Sequence, residues 1–277
     1  MANDFSGDSN CKGLFRFESG KLCREEISDN DSFLTDGGTV AENTVNYREG
    51  ACCADFEYGD SDYMYCADAN LPSGWPLKSG DSNRDISVCF WFYAESLPGS
   101  TVTRYFVAKH DNNTTLNDDC FALGLRNSSG VYYIRFLLGY SPGITETIDM
   151  VSYAFVAGRW YHVGFSYDSS TKDWYCKVYG YTEGTDAEAT GVSTNSIWAT
   201  DVAFLIGTIL SNGVPVAAYH DGFLDEIVIF NDVLTEDEID SIRAGTYGAA
   251  VGGGPLVGPS ALIGGGSILV GPSSLIS

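Results

Sequence analysis

The feature that most constrains this chain is the stretch His220–Gly245, where a strand pattern runs directly into a helix start. Residues Phe223–Phe230 are rich in β-branched and aromatic types and contain neither Pro nor Gly, which predicts a β-strand. Two acids, Asp225 and Glu226, interrupt it. Because neighbouring strand residues face opposite ways, at least one carboxylate is expected to face a packed layer and to need donors or a cation.

The second half of this stretch predicts one short helix. Thr235 is a favourable N-cap, and Glu238 stands at the spacing of a capping box. Gly245 can end the helix, with acids in its first turn and a basic residue in its last. The helix then carries a single apolar stripe that must pack on something. The stripe consists of Leu234, Ile239 and Ile242.

The segment GFLDEIVIFNDVLTEDEIDSIRAGTYG resembles the closing strand and helix of laminin-G-like, concanavalin A-like jelly rolls. Earlier segments fit the same family in order. Ile86–Ala94 is apolar at nearly every position and has Trp91 in the place of the family tryptophan, and Gly158–Asp168 carries Trp160 followed by His162. The resemblance implies an all-β fold, an antiparallel jelly-roll sandwich with one short C-terminal helix.

Composition agrees with that fold class and suggests three regions. Glycine is abundant, with 32 residues, and only one stretch has convincing helix caps, so an all-β domain is expected. We predict a polar lead-in over 1–10, the jelly-roll sandwich over 11–248 and an extended apolar tail over 249–277.

The charge excludes several partners. Asp and Glu number 37 against 15 Lys and Arg, a formal net charge of −22, which excludes nucleic-acid binding and disfavours an anionic membrane surface. No run of about 18 apolar residues exists, so no membrane insertion is expected. The first residues do not resemble a signal peptide, and we expect a chain that stays inside the cell, leaves within an assembled particle or leaves by another route. The eight cysteines predict buried thiols, with disulfides as the alternative.

The acids also suggest a Ca²⁺ site, because Ca²⁺ is a hard cation that prefers oxygen ligands. The resemblance points to an acid near the last strand, and for Asp225 the alternative is that its carboxylate accepts backbone amides instead. The metal candidates, in order of preference, are Asp225, then Asp29 and Asp31, then Asp221.

Sugar binding is common in the resembled family and needs aromatic side chains on a polar rim. Our candidates for carbohydrate contact are Tyr140, Trp174, Trp198 and Tyr219. No enzyme is predicted, because the acid-bearing strand lacks a second carboxylate at the spacing that glycoside hydrolysis requires. The serine-elbow, phosphate-loop and zinc-protease motifs are also missing.

The tail contains an internal repeat, LVGPSALI at 256–263 and LVGPSSLI at 269–276, and no charged residue follows Arg243. Exposed apolar octads need a partner surface, so we expect the tail to lie along protein subunits of an assembly, with a homo-oligomer favoured. The predicted assembly residues are Leu256, Val257, Leu262, Ile263, Leu269, Val270, Leu275 and Ile276.

Three functions remain open from the sequence. The first is a non-enzymatic structural or adhesion module, a decoration or fibre protein of a phage virion anchored through its tail. The second is a carbohydrate-binding lectin, secreted or on a cell surface, with glycans as partners. The third is a subunit of a self-assembling extracellular filament.

Overall fold

The computed structural model describes residues 3–112, 119–141 and 143–248. The strands and helices in these ranges are β1 (Cys11–Phe15), β2 (Thr35–Asp36), β3 (Ala41–Asn43), β4 (Cys53–Phe56), the 3-10 helix η1 (Tyr58–Asp60), β5 (Met64–Cys66), the 3-10 helix η2 (Asp68–Asn70), β6 (Ile86–Ala94), β7 (Thr103–Lys109), β8 (Phe121–Ser128), β9 (Val131–Ser141), β10 (Ile144–Ser152), β11 (Trp160–Tyr167), β12 (Asp173–Gly180), β13 (Thr185–Val192), β14 (Phe204–Ile206), β15 (Leu210–Ser211), β16 (Val214–Pro215), β17 (Gly222–Phe230) and α1 (Glu236–Arg243).

The strands form two antiparallel sheets. The first sheet has the order β13-β12-β11-β6-β17-β4-β3, with β1 also paired to β17, and the second has the order β10-β9-β8-β7-β14-β5-β2. The short hairpin β15–β16 stands apart from both. This arrangement confirms the predicted antiparallel sandwich with one short α-helix. No helix in the described part of the chain is long and apolar enough to cross a membrane.

Strand β6 lies at the centre of the first sheet, between β11 and β17. Its Phe90 and Phe92 belong to the main core between the sheets, whereas Cys89 and Trp91 belong to smaller clusters on the outer face. Burial on both faces explains why almost every residue of this strand is apolar.

Helix α1 covers part of that outer face. Thr235 forms the predicted capping box with Glu238, and Ile239 and Ile242 are buried. Ile239 packs directly on β11, where a Cβ added to Gly164 would come within 2.2 Å of the Ile239 side chain. A glycine is therefore needed for the helix to approach this closely.

The two acids of β17 are both buried, and a bulge interrupts the strand at this point. The pairing with β6 shifts between Asp225 and Val228, and Glu226 has a φ of 49°. Asp225 Oδ2 accepts hydrogen bonds from the amides of Arg48 and Glu49, at 2.8 and 3.0 Å. Leu224 and Ile227 both belong to the main core, so the bulge keeps Glu226 off the core-facing side of the strand, where strict alternation would put it.

Glu226 instead forms a salt bridge with Arg16, the residue that follows β1. Its Oε1 lies 3.3 Å from Arg16 Nη1. Burial raises the pKa of Glu226 to about 7, and burial also raises the pKa of Asp225 well above its usual range.

Two long strands were not anticipated, β10 and β13. In β13 the side chains alternate between exposed and half-buried, so the strand lacks the apolar alternation that marks a strand packed on a core. The predicted tail 249–277 and its assembly residues lie outside the described residues.

Candidate functional site

Three neighbouring strands of the first sheet bring acids to one end of the sandwich. Strand β17 pairs with β4 on one side and β6 on the other, with Gly222 opposite Phe56 and Ala94. A Cβ at Gly222 would lie 2.1 Å from the carbonyl oxygen of Tyr93, so only glycine permits this pairing. The acids at this end are Asp55, Glu57, Glu95 and Asp221.

Three of these acids form a cluster, which we call the acid triad. One carboxylate oxygen from each of Asp55, Glu57 and Glu95 lies within 4.8 Å of the other two. Within the described residues, the one side-chain donor that reaches the triad is the Asn43 amide, 3.4 Å from Asp55 Oδ2. Burial is the largest cause that raises the pKa of each of the three carboxyls, and repulsion from neighbouring carboxylates raises it further.

The fourth acid, Asp221, holds the backbone next to the triad through hydrogen bonds. Its Oδ1 accepts the amide of Tyr58 at 3.2 Å, and its Oδ2 contacts the Ser96 hydroxyl and Arg104 Nη1, the latter at 3.3 Å. Its backbone carbonyl accepts the amide of Glu95 at 2.9 Å, which fixes that triad member at the end of β6. Asp221 thus links β6, β17 and η1.

The chemistry of the triad fits a hard divalent cation. Three converging carboxylates supply the oxygen ligands that Ca²⁺ prefers, and Ca²⁺ tolerates carbonyl and water oxygens for the rest of its coordination. A bound cation would also remove the repulsion that raises the three pKa values. Within the described part of the chain, this is the one group of three or more His, Cys, Asp or Glu residues whose ligand atoms lie close enough together to hold a metal ion.

Next to the triad lies a row of four tyrosines, which we call the tyrosine row. Tyr63 and Tyr65 stack with ring centroids 6.0 Å apart and an interplanar angle of 26°. Tyr219 follows at 6.4 Å from Tyr63, and Tyr58 at 6.5 Å from Tyr219. The row therefore runs Tyr65, Tyr63, Tyr219, Tyr58 across the surface.

Local sequence explains this row. In β5, Met64 and Cys66 point into the main core, so Tyr63 and Tyr65 point out of the second sheet. The Tyr63 ring lies over Gly37, where a Cβ would come within 2.1 Å of the ring.

A cavity of about 290 Å³ opens beside the row. It is lined by Tyr63 and Tyr65, by residues of β14, and by the β15–β16 hairpin, including Leu210 and Pro215. Tyr63 and Tyr65 are half-buried, and Tyr58 remains 39% exposed. The row thus combines fixed rings with an open space beside them.

The row and the triad are continuous. Tyr58 follows Glu57 directly in the chain, and its amide is held by Asp221. Arg104, which pairs with Asp221, has its guanidinium carbon 4.8 Å from the centre of the Tyr58 ring. Aromatic rings and convergent carboxylates therefore share one end of the sandwich.

The four predicted metal residues do not come together. Asp29 and Asp31 both pair with Arg24 in the loop before β2. Asp225 lies inside the bulge of β17, where it accepts two amides, the arrangement that the sequence left as its alternative. Asp221 borders the acid triad, and no triad member was among the predicted residues.

The four predicted carbohydrate residues lie at different places. Tyr219 is in the tyrosine row, although only 9% of it is exposed. Tyr140 packs against the main core near Trp198, whose amide donates to the carbonyl of Gly139 at 2.9 Å. Trp174 lies on β12, half-buried and packed against the main core.

The histidines and cysteines take no part in this site. Burial lowers the pKa of His110 and His220 to about 4 and that of His162 to about 3, which keeps them neutral at physiological pH. All eight cysteines are free, and seven are buried. Burial raises their pKa, so they persist as thiols with little thiolate character.

Comparisons with solved structures agree with the architecture. Domain 4 of the extracellular arabinanase AbnA from Geobacillus stearothermophilus, in complex with arabinotriose, is 19% identical with a TM-score of 0.54, covering 84% of this chain and 98% of that one. The full-length tailspike protein 2 of an Escherichia coli O157:H7 bacteriophage is 14% identical with a TM-score of 0.55, covering 78% of this chain and 28% of the tailspike. The binding domain of botulinum neurotoxin DC, in complex with SialylT, is 10% identical with a TM-score of 0.51, covering 86% and 52%.

At these identities the likeness establishes the fold alone. No curated protein matches the chain. A family model, Laminin_G_3, described as the concanavalin A-like lectin/glucanases superfamily, matches residues 59–240, well over half of the chain. The chain therefore belongs to the concanavalin A-like lectin/glucanase superfamily, as the sequence resemblance indicated.

Proposed function

We propose that this domain is a non-enzymatic glycan-binding adhesion module that is displayed on a larger assembly. The observation that carries the proposal is the continuity of the acid triad and the tyrosine row. Tyrosine rings stack on the apolar faces of sugar rings while their hydroxyls bond to sugar hydroxyls. A Ca²⁺ ion on the triad would coordinate sugar hydroxyls beside the rings, since it accepts neutral oxygen ligands.

The charges around the row favour neutral glycans over acidic ones. The triad, Asp221 and Asp36 place negative charge along it; burial raises the pKa of Tyr63, and the charge of Asp36 raises it further. Arg104, whose guanidinium lies over the Tyr58 ring, is already paired with Asp221. A glycan with carboxylates would meet repulsion here that a neutral glycan avoids.

Binding fits the triad better than hydrolysis does. Retaining glycosidases hold two carboxyl groups about 5–5.5 Å apart, on either side of the bond that they break. Here three carboxylates converge, with oxygens within 4.8 Å of one another, which suits an ion at their centre. Two of the three, Glu57 and Glu95, are exposed to solvent, whereas the general acid of a glycosidase is enclosed in an apolar pocket.

The assembly that we favour is a phage virion, with the sandwich as a decoration or fibre protein and 249–277 as its anchor. The uncharged repeat of the tail supports an anchoring role, and a phage tailspike is among the structures of similar fold. Other similar structures carry sugars, such as the arabinanase domain with arabinotriose, which supports the glycan-binding part. An extracellular filament subunit remains the second candidate, because the same tail can join copies of the chain.

A glycan array containing neutral and sialylated oligosaccharides tests the function, probed with the full chain in Ca²⁺ and in EDTA. We expect neutral hits that weaken in EDTA. Tyr58→Ala should abolish them, because it removes the most exposed ring of the row, whereas Tyr47→Ala should not, since Tyr47 is an equally exposed tyrosine outside the row, 41% against 39% for Tyr58.

Two results would overturn the proposal. One is an array without hits in either buffer. The other is release of reducing sugar from a neutral hit, lost in Glu57→Gln, which would make the triad catalytic.

A further inference from the structure

A second surface, distant in the fold from the triad, is a groove at the other end of the first sheet. It is a trough of about 540 Å³ between the ends of β12 and β13 and the connection from β17 to α1. Its walls include Trp174, Val192 and Val233. Val192 is 66% exposed and Val233 41%, so both apolar side chains reach solvent.

The groove has a firm apolar floor. Leu234 is buried beneath it, and its carbonyl accepts the Ser166 hydroxyl at 3.1 Å. The Trp174 indole lies directly on the backbone of β13, because a Cβ at Gly191 would come within 2.4 Å of the ring. Rigid apolar walls of this kind are typical of docking sites rather than of ordinary solvated surface.

One side of the groove is formed by the end of an edge strand, at Thr190–Val192. Strand β13 has eight residues and ends the first sheet, so within the described residues its outer edge forms no ladder. Exposed edges can pair with an extended segment of another chain. At about 3.3 Å per residue, an eight-residue segment matches the length of this edge.

The charges restrict what can enter. The rim carries Asp168, Asp173 and Glu236, so acidic segments are repelled. Residues 244–277 contain no charged side chain, and their two repeats are apolar octads. In size, polarity and charge, the tail fits the groove.

We propose that the groove of one copy of this chain holds an LVGPS-LI repeat from the tail of a second copy. This inference rests on the assembly role given to the tail under the proposed function, and it adds the receptor surface. Each chain carries two repeats but, among its described residues, one such groove. Docking of a repeat from one copy in the groove of another is a head-to-tail contact, which joins copies in series.

Sedimentation velocity of the full chain over a concentration series tests the proposal. The wild type should sediment as concentration-dependent oligomers. A groove variant, Val192→Asp with Val233→Asp, should weaken association about ten-fold or more, because it places charges in an apolar contact. Val131→Asp, at a strand valine that is 47% exposed outside the groove, is the matched control and should associate like the wild type. Neutral-glycan binding, measured on every variant, reports that each is folded.

A tail variant, Leu262→Asp with Leu275→Asp, separates this inference from the proposed function. If tail and groove variants both dissociate, the proposal is supported. If only the tail variant dissociates, the tail assembles on another surface and the groove assignment is overturned. If neither does, or if the wild type is a monomer at all concentrations, the self-assembly role of the tail fails, and this inference fails with it.

A cross-link identifies the occupant directly. A photo-cross-linking residue at position 192 in ¹⁵N-labelled chain, mixed with unlabelled wild type, should yield cross-links to unlabelled peptides from 256–263 or 269–276. Cross-links that join only labelled peptides to labelled chain would show docking within one chain and overturn the proposal.

Discussion

Two sets of carboxylates in this chain differ in how they are satisfied. Asp62 is buried, and its oxygens accept the amides of Thr39 and Glu57, at 2.7 and 3.0 Å. Asp225 likewise accepts two amides from another loop. The acid triad, in contrast, receives one weak side-chain donor, although its carboxylates repel one another.

This difference separates acids that hold loops from acids whose arrangement would suit a cation. A carboxylate that accepts amides stabilises the fold, because the amides would otherwise be left without partners. Converging carboxylates without donors destabilise the fold, and a folded protein retains such a group where it serves a function. Each prediction below tests on which side of this division a residue lies.

The largest effect is expected at Asp225. Asp225→Ala should lower the free energy of unfolding by about 4 kcal/mol, because two amides lose their acceptor inside the structure. Urea unfolding followed by circular dichroism measures this. Asp225→Asn is the matched control, since its side-chain oxygen still accepts a hydrogen bond, and it should cost less than half as much. Equal stability of wild type and Asp225→Ala would contradict a loop-holding role.

Glu226 lies between the two sets, because it is paired with Arg16 but has a pKa raised to about 7. The folded state therefore binds more protons than the unfolded state between pH 4.5 and 7. The free energy of unfolding should fall as pH rises through this window, by up to about 3 kcal/mol.

Glu226→Gln removes this titration and should make the pH dependence shallower. Urea midpoints at half-unit pH steps measure it. A slope unchanged in Glu226→Gln would mean that another buried acid, such as Asp225, titrates in the window instead.

Ca²⁺ should stabilise the domain through the triad. At a free concentration of 100 times its dissociation constant, a cation that binds only the folded state adds about 2.7 kcal/mol. Thermal unfolding in Ca²⁺ and in EDTA measures the shift. Glu57→Gln should abolish it, and Asp201→Asn, at an exposed acid elsewhere, should keep it. A shift that survives in Glu57→Gln would place the cation elsewhere.

The smallest effect concerns the triad without a cation. In EDTA, Asp55→Asn should leave stability unchanged or raise it by about 0.5 kcal/mol, the scale of one like-charge pair near a surface. The sign is opposite to that predicted for Asp225. A loss of more than 1 kcal/mol, measured by urea unfolding, would place Asp55 among the loop-holding acids.

The sequence predicted the frame of this molecule better than its site. The strand Ile86–Ala94 was predicted with the bounds that the structure shows, because burial on both faces leaves an unbroken apolar run. The helix cap at Thr235 was confirmed for a similar reason, since capping depends on neighbours in the chain. Strand β13 was missed because its position at a sheet edge left no apolar pattern.

The triad could not be predicted from spacing, because its members come from chain segments that meet only through strand pairing. A weaker signal was present. Glu57 follows Phe56 at the end of β4, Glu95 follows Ala94 at the end of β6, and Asp221 precedes β17. Acids that flank the ends of strands predicted to be neighbours would have pointed to this end of the sheet.

The central claim, that the triad and the tyrosine row form one site, is tested most directly by linkage. The affinity of Ca²⁺ for the full chain is measured by isothermal titration calorimetry with and without a saturating neutral oligosaccharide, and glycan affinity with and without Ca²⁺. If the two are one site, each ligand should raise the affinity of the other by the same factor. Ca²⁺ affinity that is unaffected by the bound glycan would contradict the account.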